Sequence, residues 1–297
     1  MLARADEVIR SDEQARFEPD RASWTARLAA YARAYHYTHD SPRVFEDFLA
    51  GTLITPEDRE TMDKQWAPAV ADSEPRRAGG AHMLGRARYN EDRLSDAIDK
   101  GISQYVIVGA GLDTFALRRP DLQDRLRVFE LDHPVTQALK RDRLFQAGLA
   151  LPPHLHFCPA DFERESVGSS LSRSPFDPGV PTFFLMARRH VLPDARGDSQ
   201  HAHVDLDSWR PRTVNSVMDY ADSAVLLPAN QSPRIRDLFL RLQSVGEPLI
   251  SGFDPRTLPE ELAVLGFELW RTWTPRRKKR ATLRVELMGS VRLSSLT

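Results

Sequence analysis

The sequence has a single cysteine, Cys158, so no disulfide can form within the chain, and a reducing compartment suits it. It has no apolar run near the roughly 18 residues a membrane span needs, and no basic-then-apolar leader. Met1 to Arg16 is charged throughout, so a cytosolic protein with no membrane partner is expected. Net charge is close to absent at −1, and no overall field draws the chain toward nucleic acid. No Ser–His–Asp or Cys–His constellation stands out. Cys158 sits in an apolar stretch and reads as inert core. His201-Ala202-His203 has one spacer and no third ligand, the pattern of a surface loop, so no metal is expected. There is no internal repeat. The basic run Arg276-Arg277-Lys278-Lys279-Arg280 reads as a solvated hairpin turn.

What the 297 residues do contain is an alternation of strands and helices, with hydrophobic residues at 41% and charged residues at 28%, as in a globular protein with a sizeable core. Residues 1–35 read as helical, with Trp24, Leu28, Tyr31 and Tyr35 on one face. An amphipathic pattern resumes over Arg43 to Leu53. Residues 66–81, rich in Pro, Ala and Gly, read as a loop before a helix over His82 to Lys100. Strands are then expected at Tyr105–Val108, Arg127–Asp132, His156–Phe162, Pro181–Leu185 and Val214–Tyr220, and helices at Thr114–Arg119 and Pro134–Leu149. The tail differs: a helix at Leu258–Leu265, then strands at Phe267–Trp270 and Thr282–Leu293 with no helix between or after them. The class is therefore α/β: a Rossmann-like, doubly wound, mostly parallel sheet with a terminal antiparallel strand pair at its edge and an N-terminal helical cap. The expected divisions are a cap over 1–80 and a sheet domain over 81–297, with a cap insertion near 222–252.

The chain is organised around Tyr105-Val106-Ile107-Val108-Gly109-Ala110-Gly111-Leu112-Asp113-Thr114, a buried strand entering a glycine turn. Such a turn lets backbone approach a ligand and offers it free N–H groups. The dinucleotide fingerprint has a third glycine where this sequence has Thr114, which weakens a nicotinamide reading. Glu130 and Asp132, ending the second strand, are both at the distance expected of a ribose-binding acid. Asp161 ends the third strand; beside a nucleoside it can accept the exocyclic amine of adenine, and otherwise it reads as an N-cap for a helix beginning at Glu163. Arg86 or Arg88 can hold a carboxylate as a bidentate pair, or belong to a solvated face.

Ala81-His82-Met83-Leu84-Gly85-Arg86-Ala87-Arg88-Tyr89, the glycine stretch Val106 to Thr114, and Val128-Phe129-Glu130-Leu131-Asp132-His133-Pro134 together resemble the leucine carboxyl methyltransferase family, nearest its bacterial branch of small-molecule and polyketide O-methyltransferases. Gly246-Glu247-Pro248 through Asp254-Pro255 and Leu265-Gly266-Phe267-Glu268 extend the likeness, which runs from about Thr25 to Leu287. The resemblance implies S-adenosyl-L-methionine as cofactor and a small-molecule acceptor. By position, Arg86 holds the cofactor's carboxylate, Gly109 and Gly111 pass beneath it, Asp132 binds the ribose, Asp161 and Phe162 bracket the adenine, and Tyr220 lines the acceptor site as the candidate catalytic residue. An NAD(P)-dependent oxidoreductase is the rival, lacking a third glycine and a catalytic Tyr/Lys or His pair.

One stretch departs from the family. After Leu185 the family opens a helix, commonly with Trp-Leu-Gly-Val-Thr, whereas here Met186 to His201 is rich in Arg, His, Asp and Gly and has no helical stripe. Met is ATG and Ala codons begin with G, so a one-base shift forces TGG, tryptophan. Suitable third bases then yield Trp-Leu-Gly-Val-Thr followed by Tyr-Phe-Leu-Thr-Arg-Glu-Ala. The hypothesis is that residues 186 to about 203 are a frameshifted translation, which would make the protein a catalytically impaired, methyltransferase-like binding protein. A gene whose third bases cannot encode that run would sink it.

Overall fold

The computed structural model describes residues 23–66, 74–162, 164–186, 214–249, 252–264, 267–273 and 286–293. Its centre is a seven-stranded sheet in the order β3-β2-β1-β4-β5-β7-β6. The strands are β1 (Gln104–Val108), β2 (Arg127–Asp132), β3 (Leu155–Pro159), β4 (Thr182–Met186), β5 (Val214–Ala221), β6 (Phe267–Trp273) and β7 (Glu286–Leu293). The first five are parallel. β7 is antiparallel to both β5 and β6, which places β6 on the edge.

The central strands are near-continuous apolar runs because both sheet faces are covered. Side chains alternate between two cores. Val106, Val108, Phe129, Leu131, Phe184, Met186, Met218 and Tyr220 meet Leu258 and Leu262 on one face. Tyr105, Ile107, Val128, Phe183, Leu185 and Val217 meet Leu94, Ala97 and Ile98 on the other. Cys158 lies in the first of these cores, where burial pushes its thiol up to about 11, an unreactive group as expected.

The helices are α1 (Trp24–His39), α2 (Pro56–Trp66), α3 (Glu74–Ile98), α4 (Phe115–Arg118), α5 (Pro134–Gln146), α6 (Val167–Leu171), α7 (Pro233–Ser244) and α8 (Leu258–Val264). The expected face of α1 is present, with Leu28 and Tyr31 buried and Trp24 and Tyr35 packed on the same cluster.

Two local expectations are corrected. Residues 43–49 form no helix and only a short 3-10 turn follows, Ala50–Leu53, because side chains take the backbone donors first. His36 Nε2 accepts the N–H groups of Val44 (2.9 Å) and Phe45 (3.3 Å), and Asp47 Oδ1 accepts those of Leu49 (3.2 Å) and Ala50 (2.9 Å). The expected loop over 66–81 is helical from Glu74 onward, with Pro75 in the first turn, where its missing N–H costs nothing. Helix α3 thus runs unbroken across residue 80.

Candidate active site

The chain runs from β1 outward to β3, then returns to place β4 on the other side of β1. Open α/β sheets bind ligands beyond the carboxyl ends of the strands where the order reverses in this way. The registers align those ends: Val108 lies beside Leu131 and Met186, and Met186 beside Met218. Gly109–Gly111, Asp132, Asp161 and Tyr220 all follow within a few residues, so one sheet edge carries them. Arg86 is half-buried on α3, which packs against β4 and β5. It lies twelve residues before Ile98, or about 18 Å along the helix, comparable to the length of β1, which brings it toward that same edge. Arg88 is exposed and paired with Asp92 (2.8 Å), the solvated-face outcome.

The glycine turn corrects one expectation. Its N–H groups are not offered to a ligand. Those of Gly109 (2.8 Å) and Ala110 (3.0 Å) donate to the Leu131 carbonyl, and that of Gly111 donates to Asp132 Oδ2 (2.6 Å). Gly109 and Gly111 need glycine's freedom for this, at φ +74 and +55. A pyrophosphate cradle depends on such donors being open, so the turn does not serve the nicotinamide rival. Thr114, standing where that rival needs a glycine, gives its hydroxyl to Asp47 Oδ1 (2.7 Å).

Asp132 is buried and oriented twice, since its Oδ1 also accepts the His133 N–H (2.7 Å). It is therefore a preset acceptor at the strand end, suited to sugar hydroxyls. Glu130, the other candidate, turns to the opposite task. It forms a fully buried ion pair with Lys140, and burial pushes its carboxyl up to about 7 against the pull of that ammonium. Asp161 is half-buried. Its N–H donates to Glu165 Oε1 (3.2 Å) and its carboxylate pairs with Arg164 (3.3 Å). Glu163 lies outside the described residues; the helix that follows, α6, is capped by Ser166, which accepts the Ser169 N–H at 3.1 Å. Phe162 packs against the core cluster beneath the sheet edge.

Tyr220 is fully buried, its ring edge-on to Phe253 with centroids 5.9 Å apart. Its hydroxyl has no hydrogen-bond partner among the described residues. Burial, with Asp222 adding to it, holds the phenol well above its usual pKa. Tyr220 is thus a neutral hydrogen-bond donor rather than a base. A buried hydroxyl at this edge with no partner among the described residues fits a site completed by cofactor and acceptor. Preset Asp132 supplies the matching acceptor, so the donor set suits the adenosyl and acceptor groups that the resemblance implies.

A cap from the N-terminal helix and the stretch near 222–252 was expected, but the contacts that seat it were not legible in advance. Ala26 of α1 lies over the turn, so close that a Cβ on Gly111 would come within 2.8 Å of its own Cβ. The Thr25 N–H donates to Glu247 (3.2 Å), and the Ser23 N–H to Thr136 Oγ1 (3.4 Å), joining α1 to the segment after α7 and to α5. Gly252 crosses the end of β5 tightly, where any Cβ would meet the Ala221 carbonyl at 2.6 Å. His201, His203, the run 276–280 and residues 187–203 lie outside the described residues. Among the described residues, no group of three His, Cys, Asp or Glu is placed to hold a metal, and no helix is long and apolar enough to cross a membrane.

A profile of the family described as leucine carboxyl methyltransferase matches residues 26–188, more than half the chain. The match ends two residues beyond β4. A Bacillus subtilis protein named as an S-adenosyl-L-methionine-dependent methyltransferase, YktD, is 32% identical over 272 residues, covering 86% of this chain and 89% of that one. A Mycobacterium tuberculosis protein named in the same way, Rv1896c, is 32% identical over 197 residues, covering 65% of this chain and 62% of that one.

Proposed function

The chain belongs to the leucine carboxyl methyltransferase family, and from that membership we propose that it methylates an oxygen of a small molecule, foremost a carboxylate, in secondary metabolism. It is an S-adenosyl-L-methionine-dependent methyltransferase. When bound, the cofactor supplies an electrophilic methyl group on its sulfonium. What the chain adds is alignment, which accounts for most of the rate in an in-line displacement.

In this reading Asp132 accepts the ribose hydroxyls, Gly109 and Gly111 pass beneath the cofactor, and Arg86 takes its carboxylate. Asp161 and Phe162 bracket the adenine. Tyr220 donates its hydroxyl to the acceptor and orients it. The cap comprises residues 1–80 and the insertion near 222–252, the sheet domain takes the rest of 81–297, and the protein works in the cytosol without nucleic acid as a partner. The contact between Thr25 and Glu247 supports a shared cap over the glycine turn.

The observation that carries the acceptor class is Tyr220: a buried phenol held protonated can position an oxygen but cannot take its proton. A carboxylate arrives ionised at pH 7 and needs no base, whereas an alcohol does. The test incubates the protein with methyl-labelled cofactor and a panel of small carboxylates, phenols, alcohols and amines, read by mass spectrometry. Labelled methyl esters are expected. Transfer confined to amines or aliphatic alcohols would overturn the reading.

A second reading, a cofactor-binding protein with impaired turnover, is favoured by one observation: the family match stops at 188, inside the anomalous run that begins at Met186. Cofactor binding by calorimetry without methyl transfer to any of the panel would support it.

A further inference from the structure

Asp47 lies in the N-terminal segment, in the stretch that side-chain bonds keep from being helical, and it is only 1% exposed. Its two oxygens gather partners from three separate parts of the chain. Oδ1 accepts the Thr114 hydroxyl (2.7 Å) and the N–H groups of Ala50 (2.9 Å) and Leu49 (3.2 Å). Oδ2 accepts Arg33 Nε of α1 (2.7 Å), and the far end of the same guanidinium donates to the Leu112 carbonyl (2.7 Å). Arg118 Nε donates to the Thr114 hydroxyl (2.9 Å), lies 3.4 Å from Asp47 Oδ1, and pairs at its other end with Glu91. The glycine turn's own N–H groups are fixed on β2, and its exit, Leu112–Thr114, is fixed on Asp47 and Arg33.

We propose that Asp47 is a positioning residue for the cofactor turn: it anchors Leu112–Thr114 from the N-terminal cap and so holds Gly109–Gly111 in register with Asp132. The inference rests on the cofactor reading above and extends it. The cap is expected to cover the acceptor, and here it also sets the shape of the cofactor's floor. Asp47 suits the task because the groups bonded to its carboxylate, Thr114, Leu49, Ala50 and Arg33, all donate. Burial works to raise its carboxyl, but Arg33 and Arg118 outweigh it and hold the group below the usual range, so the anchor stays charged at working pH. An amide would set N–H groups against one of those donors. Thr114 supplies the hydroxyl that a third glycine would lack.

The test measures the affinity of S-adenosylhomocysteine by calorimetry, with thermal midpoints alongside, for the wild type and for Thr114→Val, Thr114→Ser, Asp47→Asn and the Asp47→Asn/Thr114→Val double variant. Thr114→Val is expected to raise Kd roughly tenfold, from loss of one bond to a buried charge. Thr114→Ser is expected to return within about twofold of wild type, since it keeps the hydroxyl. In the Asp47→Asn background, Thr114→Val should add little, because both remove one link. Variants that melt earlier yet bind with wild-type affinity below their midpoints would overturn the proposal, as would effects on affinity that simply add. If Asp47→Asn does not fold, the Val and Ser pair at Thr114 decides alone. A wild type that does not bind overturns the cofactor reading and this proposal together, whereas binding that the variants leave unchanged overturns this proposal only.

Discussion

The two halves of the sheet's carboxyl edge are built in opposite ways. On the β1–β2 side the glycine turn, Asp132 and Thr114 all have protein partners. The turn donors are spent on Leu131 and Asp132, Asp132 is oriented by Gly111 and His133, and Thr114 is held by Asp47. On the β5 side the hydroxyl of Tyr220 is buried with no partner among the described residues. The first half is preset before any ligand arrives, so it contributes little reorganisation cost when the cofactor binds. The second half leaves a buried donor unmatched, a cost a protein keeps when a ligand repays it.

The largest break in this comparison would come from the wall beside β4. If the gene's third bases encode the family's helix in the shifted frame, the frame-restored protein should transfer methyl on the order of 100-fold faster, the scale of a misplaced acceptor wall. Labelled-cofactor turnover checks this, and equal rates in the two proteins would remove the frameshift from the account. Next come the two crowded glycines. Gly252→Ala sets a Cβ 2.6 Å from a backbone carbonyl and should cost about 3 kcal/mol in denaturant unfolding, at the upper end for overpacking. Gly111→Ala combines φ +55 with a 2.8 Å approach to Ala26 and should cost about 2 kcal/mol, with cofactor affinity falling as well.

Asp132→Ala should weaken cofactor binding by about 1–3 kcal/mol, the usual loss when buried partners are left unpaired. Unchanged affinity would mean that Asp132 serves the turn alone. Tyr220→Phe sharpens the contrast between the halves. Removing a hydroxyl that has no partner among the described residues should leave the unliganded protein as stable or up to about 1 kcal/mol more stable, while methyl transfer falls roughly tenfold. A loss of stability without ligand would show that the phenol is a structural group.

The smallest effect is one of pH. Glu130 has its carboxyl raised from 4.5 to about 7 by burial, so the folded state holds its proton more tightly than the unfolded one. That contribution is complete below pH 4.5 and is lost as pH rises through about 7. Measured against Glu130→Gln, which does not titrate, wild-type stability should therefore decline across that window. A flat difference would assign the proton to Lys140 throughout.

The centre of the sheet was legible because β1 and β2 are short apolar runs ended by a glycine and an acid, and the two-residue alternation and the Gly109–Gly111 and Asp132 spacing are properties of the local chain. Where local signals misled, side chains competed for the backbone. His36 and Asp47 took the N–H groups that a helix over 43–49 would have used, and Pro75 opened a helix in a stretch that read as loop. By itself the sequence determined the α/β order, the glycine turn and the family. Only the tertiary structure decided that the turn's donors face inward, that Ala26 covers it, and that Asp47 holds its exit. The reason is physical: periodicity needs neighbours three or four residues apart, whereas Asp47 meets Arg33, Thr114 and Arg118 only after α1, the turn and α4 have packed together.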